Sequence, residues 1–241
     1  MIKNILVGAA FVLMAGCAIR LGGPGPVEYR TVALNADSHV TPEEVAAWIR
    51  RTGANLVLLA ADADSAWFDE VARRSELALS GPGRAGAVAF AFLAGKPVGD
   101  TTVALPLDGG GRVVVHDALY QIDENRFLDL LALRIDHQRQ VVDAVRALLD
   151  YVATDVASTA AVVLAVDVPD GAVGDSVSAL LNPAFLDARA CLEDGDGAAR
   201  SGPGPTGMRL FYGPEARMRC DEAERLAGAD SPLVARLIVG R

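Results

Sequence analysis

Any chemistry in this chain has to come from a thin set of side chains. The histidines are His39, His116 and His137, and oxygen-bearing groups beside apolar runs are Asn35, Asp167 and Asp230, with Asp62 and Asp64 flanking Ala63. Paired carboxylates such as Asp62 and Asp64 can hold a hard divalent cation. The same pair suits a solvated loop ahead of a helix, and that reading carries more weight. Asp167 and Asp230 suit turn or helix caps as well as a site, and Asn35 at a strand end is also an ordinary turn residue. His116, between Val115 and Asp117 in a strand pattern, reads as structural, and His39, just before a helix cap, as exposed. Several chemistries find no support. His-x-x-x-His and Cys-x-x-Cys zinc spacings are missing, as is Gly-x-Ser-x-Gly. Gly109-Gly110-Gly111 is a hairpin turn, because no Lys-Ser/Thr follows to make a phosphate loop.

The chain has 241 residues, 51% of them hydrophobic, enough for a full core in one domain. With 31 acidic against 22 basic side chains the formal net charge is −9. Phosphate backbones repel such a chain unless it concentrates a basic patch, and its basic residues are scattered. Aromatics at 5% supply no stacking platform, so no nucleic-acid partner is expected.

Lys3 precedes an apolar run over 5–14. The run is far short of the roughly 20 residues of a spanning helix and fits a secretory signal. Leu13-Met14-Ala15-Gly16-Cys17 resembles a bacterial lipobox, in which the Cys thiol is diacylated and the chain is cut just before it. The resemblance implies a signal peptide over 1–16, lipid on Cys17 as membrane anchor, and a periplasm-facing place in the cell envelope. Ala18, which is not Asp, favours the outer membrane. Residues 17–27 form a Gly/Pro tether ahead of a domain over 28–241. With Cys17 lipidated, Cys191 and Cys220 are an even pair in an oxidising compartment and read as a disulfide, with two unrelated buried thiols as the alternative. The bond would close a loop of about 29 residues and stabilise by about 3 kcal/mol.

The elements that must position the candidate residues alternate. Strands are predicted over 29–34, 55–60, 87–93, 101–107, 112–119, 127–135, 161–166, 208–212 and 233–239. Helices are predicted from Pro42, capped by Thr41 with Glu44 three residues on, from a Ser65 cap through 74, over 138–152, and over 176–181 and 183–190. Continuous apolar runs such as 55–60 and 161–166 mark strands covered on both faces.

This order, together with Val32-Ala33-Leu34-Asn35, Ala54-Asn55-Leu56-Val57-Leu58-Leu59, Ala161 to Asp167, Arg209-Leu210-Phe211-Tyr212 and Ala229-Asp230-Ser231-Pro232, resembles the endonuclease/exonuclease/phosphatase superfamily. The resemblance covers roughly 29–241. It implies an α+β fold, a four-layer α/β/β/α sandwich of two packed mixed sheets, and phosphoester hydrolysis with Mg²⁺ or Mn²⁺. It also implies where the pattern departs. The family's metal-holding Glu falls in Leu59-Ala60-Ala61, with Asp62 one residue further on; the Asn partner of Asp167 is replaced by Pro169; and the final His is replaced by Ser231, beside Asp230. Asn35 and Asp167 remain as vestigial metal candidates. Asp167, Asp230 and His137 remain as vestigial catalytic candidates, with His116 competing for the place of His137. The expectation is a lipid-anchored envelope protein with a degenerate, inactive site that needs no cofactor and binds an unknown envelope partner. The alternative is a divergent metal-dependent phosphodiesterase or phosphatase using Asn35, Asp167, Asp230 and His137.

Overall fold

The computed structural model describes residues 27–36, 39–81, 83–85, 88–156, 160–168, 171–187, 207–213, 216–220 and 229–239. Cys17 and Cys191 lie outside the described residues, and Cys220 is described by its backbone alone. The strand β1 (Val27–Ala36) leads through helix α1 (Pro42–Thr52) to β2 (Leu56–Ala61) and helix α2 (Ser65–Ser75). There follow β3 (Ala78–Leu79), β4 (Gly83–Ala85), β5 (Val88–Ala94), β6 (Gly99–Pro106), β7 (Arg112–Gln121) and β8 (Phe127–Arg134). A 3-10 turn at Gln138–Gln140 opens α3 (Val141–Thr154), and then come β9 (Ala160–Val168), α4 (Gly171–Leu181), β10 (Leu186–Asp187), β11 (Gly207–Tyr212), β12 (Ala216–Cys220) and β13 (Ala229–Val239).

Local chemistry explains the element boundaries. Thr41 and Glu44 form a reciprocal capping box, Pro42 sits in the first turn, and Gly53 ends α1 in the left-handed region at φ 67°. Asp64, rather than Ser65, caps α2 by accepting from the Trp67 N–H at 3.0 Å. The acidic Asp62-Ala63-Asp64 stretch is therefore the loop before a helix.

Thirteen strands form two sheets among the described residues. One runs β12-β13-β1-β2-β5-β3, with β4 also on β5, and the other β10-β11-β9-β8-β7-β6. Both contain parallel and antiparallel pairs. Period-two alternation builds three cores. Leu56, Leu58 and Ala60 of β2 meet Ala161, Val163 and Ala165 of β9 between the sheets. Val57, Leu59 and Ala61 face outward onto Val45, Trp48 and Ile49 of α1 and Phe68 and Val71 of α2. Val162, Leu164 and Val166 face outward onto α3 and α4. The result is the four-layer α/β/β/α sandwich.

Five elements differ from the sequence expectation. The helix predicted at 176 begins at Gly171. The stretch predicted as helix over 183–190 instead carries turns and the short strand β10, with 188–190 outside the described residues. Pro183 cannot donate a backbone hydrogen bond, and Leu186 and Asp187 pair with Tyr212 and Phe211. β12 pairs as an edge strand outside β13. The short strands β3 and β4 were not expected.

Candidate functional site

Two contacts set the relative direction of the sheets. Phe92, paired with Leu58, stacks on His116, paired with Ala132 and so aligned with Ala165. At the opposite end, Arg126 ahead of β8 donates to the Val239 carbonyl, whose strand partner is Val27. The carboxyl ends of β1, β2, β8 and β9 therefore share one end of the sandwich, where the candidate residues collect.

In the first sheet they form a transverse row. Asn35 pairs with Ala60 of β2 on one side and Asp230 of β13 on the other. A register shift between Ala33 and Asn35 interrupts β1 there, the kind of bulge that re-aims a strand end. The residue of β2 that faces the inter-sheet space is Ala60, while Ala61 packs outward with α1 and α2. Neither alanine offers an oxygen. Asp62, the first residue past the strand, is exposed.

In the second sheet Asp167 pairs with Arg134 of β8 and Met208 of β11. Asp167 is buried, 3% exposed. Its Oδ2 accepts from Nη1 of Arg134 at 3.1 Å, while Nε of Arg134 binds Oδ1 of Asp136 at 2.5 Å. Burial pushes the Asp167 carboxyl above its ordinary range; the Arg134 charge opposes this, the Asp136 charge adds to it, and the Val168 N–H opposes it. His137 is exposed just beyond, its carbonyl accepting from the Gln140 N–H. The residues described by side chain at this end do not fit a divalent cation. Mg²⁺ takes carboxylate oxygens at about 2.1 Å, whereas the buried Asp167 oxygen is bound to a guanidinium and the two β2 positions are alanines. Among the described residues no three His, Cys, Asp or Glu side chains gather as a metal cluster.

Sequence reasoning singled out Asp167 and missed the role of Arg134. A signal existed. Leu128, Leu130, Ala132 and Arg134 share the inward phase of β8, and an inward arginine at an apolar strand end requires a carboxylate partner.

His116 is placed elsewhere. It is 2% exposed, with Nε2 3.4 Å from Ser80 Oγ and 3.6 Å from Asp100 Oδ1, and Nδ1 has no partner. Burial holds it below the usual imidazole range, against the charges of Asp100 and Asp117. A Cβ added at Gly83 would overlap that of His116, so the glycine lets β4 close over the ring. Ser80 shares hydrogen bonds with the Phe92 backbone and is fully buried. The group is a packed structural cluster.

No protein-family model and no curated protein matches the sequence. Solved structures do match. An endonuclease/exonuclease/phosphatase family protein from Bacteroides thetaiotaomicron aligns over 90% of this chain and 100% of its own, with TM-score 0.63 and 10% identity. The chain has the endonuclease/exonuclease/phosphatase fold. D. rerio TDP2 complexed with a single-strand DNA product aligns over 87% of this chain and 98% of its own, at TM-score 0.59 and 12% identity. An endonuclease/exonuclease/phosphatase from Beutenbergia cavernae aligns over 88% of this chain and 72% of its own, at TM-score 0.58 and 15% identity. A Cimex nitrophorin in a ferrous NO complex also aligns, over 90% of this chain and 100% of its own, at TM-score 0.54 and 10% identity. Identities this low show the shared fold alone, and a fold hosts many chemistries.

Proposed function

We propose that this chain is a lipid-anchored envelope protein whose endonuclease/exonuclease/phosphatase fold no longer hydrolyses phosphoesters and acts by binding an envelope partner. The observation that carries the reading is the Arg134–Asp167 ion pair. A guanidinium supplies the positive charge that a cation would otherwise bring to this carboxylate, and alanines stand at the end of β2. A metal would have to displace a half-buried, hydrogen-bonded arginine and would find no second carboxylate on β2. A Cimex nitrophorin with the same fold, solved as a ferrous NO complex, is in keeping with a scaffold not tied to one activity.

Purified protein is expected to turn over neither bis-p-nitrophenyl phosphate nor DNA with Mg²⁺ or Mn²⁺, and to show no saturable Mn²⁺ binding by calorimetry. Metal-dependent turnover lost in Asp167→Asn would establish the alternative, a divergent hydrolase built on Asn35, Asp167, Asp230 and His137.

The anchor rests on the lipobox-like Leu13 to Cys17 and the tether after it. Two acyl chains on one residue suffice for stable membrane attachment. In bacteria fed an alkyne fatty acid, the chain is expected to take label and sediment with membranes, and Cys17→Ser to lose both. Label retained by that variant would remove the lipid from the reading.

A further inference from the structure

The outer face of the second sheet holds two buried carboxyls that the Arg134 end does not use. Asp117 on β7 and Asp129 on β8 point to the same side, toward α3, and lie on a diagonal, since Asp117 pairs with Leu131 and Asp129 with Leu119. They are 8% and 3% exposed. Tyr151 of α3 donates its hydroxyl to Asp117 Oδ2 at 2.5 Å, and Asp129 Oδ1 has no partner. Among the described residues no Lys or Arg forms an ion pair with either carboxyl, and His116, whose electrostatics include the Asp117 charge, lies on the other face of β7. From β6 the neighbour of Asp117 is Thr101, and from β9 the neighbour of Asp129 is Val162. From α3 come Tyr151 and, at its end, Asp155, whose charge also reaches the Tyr151 hydroxyl. Arg146, in the adjoining cavity of about 310 Å³ between α3 and β6, is paired with Asp108 and Asp143.

Two ionised carboxylates in such a place would be acceptors facing each other with no donor between them, the Tyr151 hydroxyl serving Asp117 alone. One proton removes the conflict, because protonated Asp129 donates to Asp117 while Asp117 keeps the Tyr151 bond. We propose that Asp117 and Asp129 share one proton that clips α3 to the sheet, and that losing it as pH rises loosens α3 and opens the adjoining cavity. The proton passes to solvent, and the carboxylate left behind must find water. Tyr151 lines the adjoining cavity, which opens to solvent.

The direction of the titration agrees. Burial, then the Asp117 charge and a hydrogen bond to Asp117, push Asp129 up to about 8. A carboxyl raised in the folded state binds a proton that the unfolded chain has already lost. Stability is therefore greatest at or below the ordinary carboxylate range and falls as pH climbs toward 8. His116, held low by burial, has the opposite sign and weakens the fold as pH drops. Asp167, also raised, has the same sign as Asp129, so variants are needed to separate the two.

The experiment measures melting temperature from pH 5.5 to 9 for the full chain and for Asp129→Asn and Asp117→Asn. Peptide-level amide exchange is compared between α3 and α1, whose ratio cancels intrinsic base catalysis. The wild type is expected to lose melting temperature across the range, and its α3 peptides to exchange at least tenfold faster relative to α1 at pH 9 than at pH 6. Both Asn variants, which restore a donor between the strands, are expected to flatten the two responses. A wild-type melting temperature independent of pH, a fall retained in both variants, or a fall without selective loosening of α3 would each overturn the proposal. If one variant fails to fold, the other and the wild-type profile still decide.

Discussion

Arg134→Met is expected to lower the unfolding free energy by about 3 kcal/mol at pH 7, the range seen when one partner of a buried ion pair is removed. Methionine preserves most of the side-chain volume, so the loss reports charge rather than a cavity. Asp167, with 5% of its side chain exposed, would then be left with its burial, the like charge of Asp136 and the Val168 N–H, and without its countercharge. The sign with pH follows. Removing Arg134 raises Asp167 further above its unfolded value, so the variant's deficit is smallest at low pH, where the folded carboxyl is protonated, and grows as pH rises. Urea denaturation at pH 4.5 and pH 7.5 measures this. Arg134→Met with Asp167→Asn together should recover most of the loss, because the uncompensated charge is gone. A deficit under about 0.5 kcal/mol at pH 7.5 would place the pair with ordinary surface salt bridges and remove the main support for a guanidinium standing in for a cation.

The second large effect concerns a glycine inside a helix. By helix propensity alone Gly174→Ala should stabilise α4 by about 1 kcal/mol. The structure predicts the opposite. A Cβ at Gly174 would overlap the guanidinium carbon of Arg209. Arg209 is itself buried, 2% exposed, and binds Asp175, Ser178 and the Gly171 carbonyl from beneath α4. Ser178 in turn donates to Asp187 at 2.7 Å. The overlap is with the far end of a side chain, but Asp175, Ser178 and the Gly171 carbonyl hold that end in place, so either α4 lifts or the arginine leaves its partners, and overpacking plus a broken buried network costs about 3–5 kcal/mol. The net expectation is a loss of about 3 kcal/mol, a melting temperature lower by roughly 6–12 °C for a chain of this size. Calorimetry on Gly174→Ala checks it; a variant as stable as the parent would mean that Arg209 is not fixed beneath the helix.

Much of the framework was legible because its signals are local. The Thr41–Glu44 box, Pro42 and the six-residue apolar run of β2 each state their own conformation within one turn or one strand. Two of the elements not read from the sequence were missed for different reasons. Helix α4 starts at Gly171 because packing over Arg209 overrides the low propensity of its glycines. β12, Ala-Arg-Met-Arg-Cys, does alternate apolar and charged residues, but the signal is only five residues long, and β13 supplies the edge it pairs with. Asn35, Asp167 and Asp230 could be singled out because each sits beside a readable strand, and the family resemblance implied a gap at Ala60-Ala61, where the family carries a carboxylate.

From the sequence alone came the signal-like leader, the acidic charge and the alternating elements, all properties of neighbouring residues in the chain, while the missing carboxylate at Ala60-Ala61 came from the family resemblance. Only the tertiary structure decided that Arg134 answers Asp167, that Ala60 rather than Ala61 faces the inter-sheet space, and that Asp117 and Asp129 meet without a cation. Each of these depends on cross-strand register and on which face of a sheet a side chain occupies. A one-residue slip would reverse the faces, and no short stretch of sequence specifies the partner strand.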